Sequence, residues 1–403
     1  MKKVRLGIVG VGAQGGLYAS MLTGVNLVSD SPLGFDSNII PNMELGALCD
    51  TDSKKKELCE EKLPNIPFYE SYIDMLESGN VDAVVTTLPH YDHAVVAMEA
   101  LKRDIHVISE KPAGVYTKQV RELNEYAATK PNLTYAMMFN QRTNPLYIRL
   151  KEIVSSGELG KMRRANWIIT TWWRPQGYYE QSAWRATWGG EGGGVLVNQA
   201  PHQLDLMQWI CGMPKKVYSN CKYGYQRDIV VEDEVTAMFD YGDGATGVFI
   251  TCTHDVLGTD RFEMLFDGGK IVVEDSKRAV VKRLKKPENV MNKEMSMRDV
   301  MTLFMTGKSD AVYDEEVIDF TDDSRPFNSQ HAKVLEDFAA NILDGKPLIA
   351  QGSEGINGVM VANAILLSSW LGKEVELPVD EQLYIDELNK RIAEEGKYPL
   401  ISG

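Results

Sequence analysis

Cysteine is scarce in this chain of 403 residues. The five present (Cys49, Cys59, Cys211, Cys221 and Cys252) are widely spaced, and no two form a CxxC pair. That excludes a disulfide framework and a cysteine-based zinc site, and it fits reduced cytosolic thiols. No metal is expected. Positive charge is also short: 43 Lys and Arg stand against 57 Asp and Glu, a formal net charge of -14. A nucleic-acid binder needs a basic footprint, which is missing here. No apolar run reaches the roughly 18 residues of a membrane span. Lys2 and Lys3 precede an apolar stretch, but Gly7, Gly10 and Gly12 interrupt it and no cleavage signal follows. It reads as a first buried strand rather than a signal peptide. A cytoplasmic protein is expected. Internal repeats and low-complexity tracts are absent too.

What is present describes a globular protein. Hydrophobic residues make up 44% and charged residues 25%, and the length suits two domains, each with its own core. Through residue 139, short β-branched runs alternate with helical stretches at Ser53 to Leu63, His93 to Lys102 and Lys118 to Lys130. This predicts a doubly wound parallel sheet. Each run ends in a polar or glycine-rich motif. Val4 to Val9 leads into Gly10-Val11-Gly12-Ala13-Gln14-Gly15, and Met43 to Cys49 ends in Asp50. Val81 to Leu88 ends in Pro89-His90, Ile105 to Ser109 in Glu110-Lys111-Pro112, and Leu133 to Phe139 in Asn140-Gln141-Arg142. Strand C-termini share one edge of such a sheet, and ligands bind outside that edge. The segment Gly24 to Pro41 reads as an inserted surface loop.

Beyond Pro145 a helix (Leu146 to Ser155) leads into seven strand-like stretches between Arg163 and Leu284. Turns at Asp243-Gly244 and Asp267-Gly268-Gly269 join some of them. Consecutive hairpins imply a large, mostly antiparallel sheet with helices on one face. Lys285 to Arg325 is polar, with Met297, Met301 and Met305 at helical spacing, and reads as a helix packed by its methionines. Helices are expected again at Ser329 to Leu343, Gly355 to Leu371 and Gln382 to Glu394. The predicted domains are 1–140, 141–378 and a helical extension at 379–403.

The glycines suit a dinucleotide. Gly10 permits a tight turn, Gly12 lets the backbone approach a pyrophosphate, Gly15 lets helix and strand pack closely, and Ala13 and Gln14 open the helix whose free N–H groups face the phosphates. Asp50 would accept the adenosine ribose hydroxyls and repel a 2′-phosphate, so NAD is favoured over NADP. Lys54, Lys55 and Lys56 are the cations nearby and read as a solvated helix face. Lys111, at the sheet edge, points to the nicotinamide end. Its ordinary pKa of about 10.4 must fall before it can act as a base, and burial would do that.

A second constellation spans Gly192 to Leu206. If Asn198 to Cys211 is helical, Asn198, His202 and Asp205 share one face, and His202 could exchange a proton with a substrate hydroxyl. An aromatic stretch carries six of the seven tryptophans between Trp167 and Trp209 (Trp167, Trp172, Trp173, Trp184, Trp188 and Trp209), with Tyr178, Tyr179, Arg174 and Arg185 among them. Flat rings suit sugar faces and guanidinium forks suit hydroxyls. Trp172 and Trp173, adjacent in a strand, point opposite ways, so at least one is expected in the core.

Taken together, GIVGVGAQGG, CD at 49–50, TTLPHYDH at 86–93, EKP at 110–112, FNQRTNP at 139–145, WR at 184–185 and GGGVLVNQAPHQLDL at 192–206 resemble the Gfo/Idh/MocA family, that of glucose-fructose oxidoreductase and inositol dehydrogenase. The likeness runs from residue 4 to about 378. It implies a Rossmann N-terminal domain, a C-terminal α+β domain, and NAD(P)-dependent oxidation or reduction of a secondary alcohol on a sugar, glycoside or cyclitol. By this matching Lys111 and His202 are the catalytic pair. Thr87, Pro89, His93, Glu110 and Asn140 line the cofactor, and Trp184 and Arg185 lie where cofactor and substrate meet. The substrate is expected to touch Lys111, Arg142, Arg174, Tyr178, Trp184, Asn198 and His202.

One position departs from the resemblance. Many members carry aspartate four residues before the histidine, and Asn198 stands here. An amide stabilises an imidazolium less than a carboxylate does, so Lys111 is expected to carry more of the proton transfer. A glycoside-cleaving enzyme that recycles tightly bound NAD is the alternative, and a non-catalytic sensor is disfavoured because Lys111 and His202 are both retained. An uncovered sheet face suggests a homodimer or homotetramer.

Overall fold

A computed structural model describes residues 2–27, 40–307, 312–321, 325 and 328–402. Most of the expected loop at 24–41 lies outside the described residues. The first half forms a six-stranded sheet from β1 (Val4–Val9), β2 (Met43–Cys49), β3 (Phe68–Tyr69), β4 (Ala83–Thr86), β5 (His106–Ser109) and β6 (Tyr135–Met137). Its order is β3-β2-β1-β4-β5-β6, with every pairing parallel. Strands such as β4 are buried along their whole length, as required where helices cover both faces. The order reverses between β1 and β4, which puts the ligand crevice between Gly10 and Thr87.

The second half forms a nine-stranded sheet from β7 (Met162–Ile169), β8 (Lys216–Tyr223), β9 (Glu232–Gly242), β10 (Ala245–Cys252), β11 (Asp260–Phe266), β12 (Gly269–Glu274), β13 (Arg278–Leu284), β14 (Tyr313–Asp319) and β15 (Val375–Glu376). The order is β14-β13-β12-β11-β7-β10-β9-β8-β15, antiparallel except for β10 on β7. Alternation sets the faces. Ala165, Trp167 and Ile169 point inward, with Trp167 stacked on Phe262 at 4.4 Å between ring centroids. Ile168, Tyr218, Met238 and Val317 lie exposed on the opposite face. The chain is therefore α/β, a doubly wound parallel sheet joined to an α+β domain.

Two expectations need correction. The helix Ser329–Asp344 lies beyond residue 140 in sequence, yet Ala332, Val334, Leu335, Phe338 and Ala339 pack into the first core with Val4, Leu6 and Ile8. Its apolar face covers the first sheet, so the chain crosses the domain boundary three times. The extension after 378 is helical as expected, and its helix Glu381–Glu395 buries Tyr384, Leu388 and Ile392 in the second core. The methionine-rich segment does not pack by its methionines. It forms helices Glu288–Glu294 and Met297–Thr306, followed by β14, with Met297 71%, Met301 48% and Met305 83% exposed. The second helix is held by its Ser296/Asp299 capping box, and neither helix buries a residue.

Candidate active site

The glycine turn is built for close approach. Gly10 has φ +95°, and a Cβ there would lie 2.6 Å from the Thr87 carbonyl oxygen; at Gly15 a Cβ would meet the Gly10 carbonyl. Thr87 locks the turn by donating its hydroxyl to the Gly10 carbonyl at 2.5 Å. Gly12 precedes the helix Ala13–Thr23 with no side-chain cap, no acidic residue in the first turn, and open space where a Cβ would stand. An uncapped helix N-terminus with room in front of it fits a pyrophosphate. Asp50 accepts from the Val11 N–H at 2.7 Å and the Asp52 N–H at 3.0 Å. It ties the second strand to the turn and keeps lone pairs for a ribose. Lys56 is paired with Glu70 at 2.8 Å.

Two residues expected at the cofactor carry a buried polar atom. Asn140 Oδ1 and Arg185 Nε have no hydrogen-bond partner among the described residues. They are two of several such atoms among the described residues, and each can bond a ligand that reaches it.

Lys111 follows β5. Its Nζ crosses to the second domain and donates to the Asn198 main-chain carbonyl at 2.8 Å. Burial is the main cause that lowers its proton affinity. Glu110 and Glu191 work against that, and Arg185 and Arg174 add to it. The same ammonium helps to keep His90, His93, His202 and His331 neutral, each of them lowered chiefly by burial. Lys111 and His202 are thus neighbours in one electrostatic cluster at the junction of the two halves.

The helix carrying His202 runs from Pro201 to Cys211, not from Asn198. Proline suits the first helical position and disfavours helix before it. Asn198 stands in the preceding turn, where its amide donates to Glu191 Oε1 and, at 3.3 Å, to the Tyr178 hydroxyl. Asp205 turns away and chelates Arg142 at 2.7 and 2.8 Å. Neither residue orients the imidazole, and His202 Nδ1 has no partner among the described residues.

Arg142 was expected at the substrate and lies elsewhere. It is 1% exposed, bound by Asp205 and by Glu354, and it anchors the helix of His202 to the first domain. His93 is also set back from the crevice, its ring between the carbonyls of Pro112 and Leu88 at 2.7 and 2.8 Å. There it braces the loop that carries Lys111. Glu110, 7% exposed, accepts from the Tyr18 hydroxyl and from the Lys111 N–H at 3.0 Å.

The aromatic stretch forms a wall. The guanidinium groups of Arg174 and Arg185 lie 5.2 and 4.6 Å from the Tyr178 ring centre, and Arg185 also lies 4.7 Å from that of Trp184. Trp184 meets His90 edge-on at 5.7 Å, and His90 follows Pro89. Trp172 packs against the second core, while Trp173 is 41% exposed.

Two participants escaped sequence reading. His331 comes from the helix that returns to the first domain. Glu191 had a weak local signal, an acidic residue just before a glycine run inside an otherwise apolar stretch. Away from the site, Glu234, Cys252 and His254 form the one group among the described residues with three potential metal ligands within reach of each other. The His254 Nε2 to Glu234 contact of 2.9 Å satisfies that pair without an ion.

Two family models match the chain. "Oxidoreductase family, NAD-binding Rossmann fold" covers residues 4–138, and "GFO/IDH/MocA C-terminal domain" covers 147–272. The N-terminal domain is therefore an NAD-binding one. Among curated proteins, the uncharacterized oxidoreductase YrbE of Bacillus subtilis is 22% identical over 80% of this chain and 86% of its own length. An inositol 2-dehydrogenase of Rubrobacter xylanophilus is 24% identical over 52% of each. Against several such relatives, including the putative oxidoreductase YteT of Bacillus subtilis at 42%, the chain spans about half their length or less. In fold it is similar to the WlbA dehydrogenase of Bordetella pertussis, solved with NADH and UDP-GlcNAcA (TM-score 0.71, 21% identity, 94% of this chain and 100% of that one). It is also similar to a levoglucosan dehydrogenase solved with NADH (TM-score 0.73, 16% identity, the same coverage). No helix among the described residues is long and apolar enough to cross a membrane.

Proposed function

Because the chain belongs to the Gfo/Idh/MocA oxidoreductase family, we propose that it is an NAD-dependent dehydrogenase acting on a secondary alcohol of a sugar, glycoside or cyclitol. The observation that carries this reading is the Lys111 ammonium, partly desolvated and fixed at 2.8 Å to the Asn198 carbonyl beside His202. Relatives named for inositol and levoglucosan support the substrate class. When bound, NAD supplies the acceptor for the carbinol hydride.

The chain's own residues do the rest. Gly10, Gly12, Ala13, Gln14, Gly15 and Asp50 hold the adenosine and pyrophosphate half. Thr87, Pro89, Glu110, Asn140, Trp184 and Arg185 border the nicotinamide half, with His93 behind them. Neutral Lys111 takes the hydroxyl proton, and its lowered proton affinity makes the neutral form accessible. His202, kept neutral chiefly by burial, hydrogen-bonds the same hydroxyl. Arg174, Tyr178 and Trp184 position the ring. The exposed face bearing Ile168, Tyr218, Met238 and Val317 pairs with a second copy as a homodimer or homotetramer.

The test is a panel of sugars, glycosides and inositols with NAD and NADP, followed by the absorbance of the reduced nicotinamide. Steady growth with NAD is expected. Cleaved glycoside without growth would mark the recycling enzyme, and no turnover of any panel member would sink the reading. Light scattering on the same sample gives the oligomeric state.

A further inference from the structure

Glu191 is 1% exposed, and both of its oxygens are engaged. Oε1 accepts from the Asn198 amide, and Oε2 accepts from the Ala186 N–H at 2.6 Å. Ala186 has φ +53°, a left-handed conformation that residues with a Cβ seldom adopt, and that turn brings its N–H to the carboxylate. The Glu191 main-chain carbonyl meets His90 Nδ1 at 3.0 Å. One acidic residue thus touches the wall, the Asn198 turn and the Pro89-His90 motif.

Building on the dehydrogenase reading, we infer that Glu191 is the positioning carboxylate of the site. It anchors Asn198, whose carbonyl holds the Lys111 ammonium, and its charge sets how readily Lys111 releases a proton. The groups facing Glu191 agree with this. Arg185 Nη1 lies 3.8 Å from Oε1, and Lys111 also favours its ionised form. Glu232, on β9, opposes ionisation of the same region. The hydroxyl of Tyr179 and the ring of His90 are further neighbours. Burial pushes the Glu191 carboxyl up to about 7, so its charge changes within the working range.

Charge and anchor are separated by comparing three variants. In Glu191→Gln the one remaining oxygen still accepts from Asn198 or from the Ala186 N–H, but not from both, and the negative charge is gone. Lys111 then binds its proton less tightly, and the acidic limb of kcat/KM for alcohol oxidation moves to lower pH. Glu191→Ala loses the anchor as well, and kcat falls further than KM changes. Asn198→Asp places two carboxylates in contact and is expected to lower kcat/KM about tenfold, one unit of proton affinity.

The deciding variant is Glu191→Gln combined with Asn198→Asp, which restores one carboxylate and one amide with their positions exchanged. Recovery to within a few fold of wild type, above both single variants, is the expected result. A double variant no better than the worse single one, with all three folded by circular dichroism, overturns the inference. So does a Glu191→Gln pH profile that superimposes on wild type. A second readout needs neither sugar nor NAD. A carboxyl with raised proton affinity binds more protons folded than unfolded, so its contribution to stability is present below about pH 4.5 and lost as pH rises through about 7. The Tm of wild type should therefore fall relative to Glu191→Gln across that window, and a constant difference overturns the charge assignment. That comparison holds even if the substrate panel shows no turnover, so failure of the dehydrogenase reading and failure of this one are told apart.

Discussion

The Nζ of Lys111 and the main-chain carbonyl of Asn198 meet at 2.8 Å across 87 positions of sequence. Lys111 lies at the edge of the first sheet and Asn198 in the turn before the His202 helix. That bond holds the site's principal proton carrier at the seam between the halves, and a main-chain acceptor cannot be lost by mutating the partner's side chain.

Replacing Lys111 by Met removes the proton acceptor and keeps the volume of the stem. Oxidation kcat should fall by about 10² to 10⁴, the usual worth of a general base. His202→Ala should cost less, because Lys111 takes the larger share. If the Met variant keeps most activity while His202→Ala abolishes it, the assignment is wrong. Steady-state kinetics with the substrate found in the panel decides it.

Arg142→Met should act on stability rather than on chemistry. It leaves Asp205, 1% exposed, without its counter-ion. Breaking one side of a buried pair costs about 3–5 kcal/mol. Urea denaturation should show that loss, while KM for the sugar stays near wild type under conditions where the protein is folded.

Asp50→Asn keeps an oxygen for the Val11 N–H and drops the charge that repels a 2′-phosphate. The ratio of kcat/KM for NAD over NADP should fall about tenfold, one charge-assisted hydrogen bond. An unchanged ratio would place coenzyme choice elsewhere.

Glu232 is fully buried and pushed up to about 7, mainly by desolvation, with Glu191 adding to the rise. Its folded proton affinity exceeds the unfolded one, so ionisation destabilises the protein as pH rises through about 7, and the effect vanishes below about 4.5. Glu232→Gln should therefore raise Tm relative to wild type more at pH 8 than at pH 5. The full effect is on the order of 3 kcal/mol, less the cost of any amide hydrogen left without an acceptor. Calorimetry at the two pH values checks it.

The sequence alone determined what depends on local pattern. The Gly10 to Gly15 turn, the β-run endings at Asp50 and Lys111, and the hairpins of the second sheet follow from neighbours a few residues apart, where periodicity and turn chemistry act directly. Tertiary structure decided which polar groups face each other. Arg142 and Asp205 carried the same residue types as site residues, and only their burial against one another made them an anchor. Glu191 entered the site because a left-handed Ala186 and a glycine run bent the chain back on Asn198. The helix with His331 crossed to the first sheet because its apolar face had a core to cover there. Charge pairing and desolvation depend on distances through space, and those exist only once both sheets are folded together.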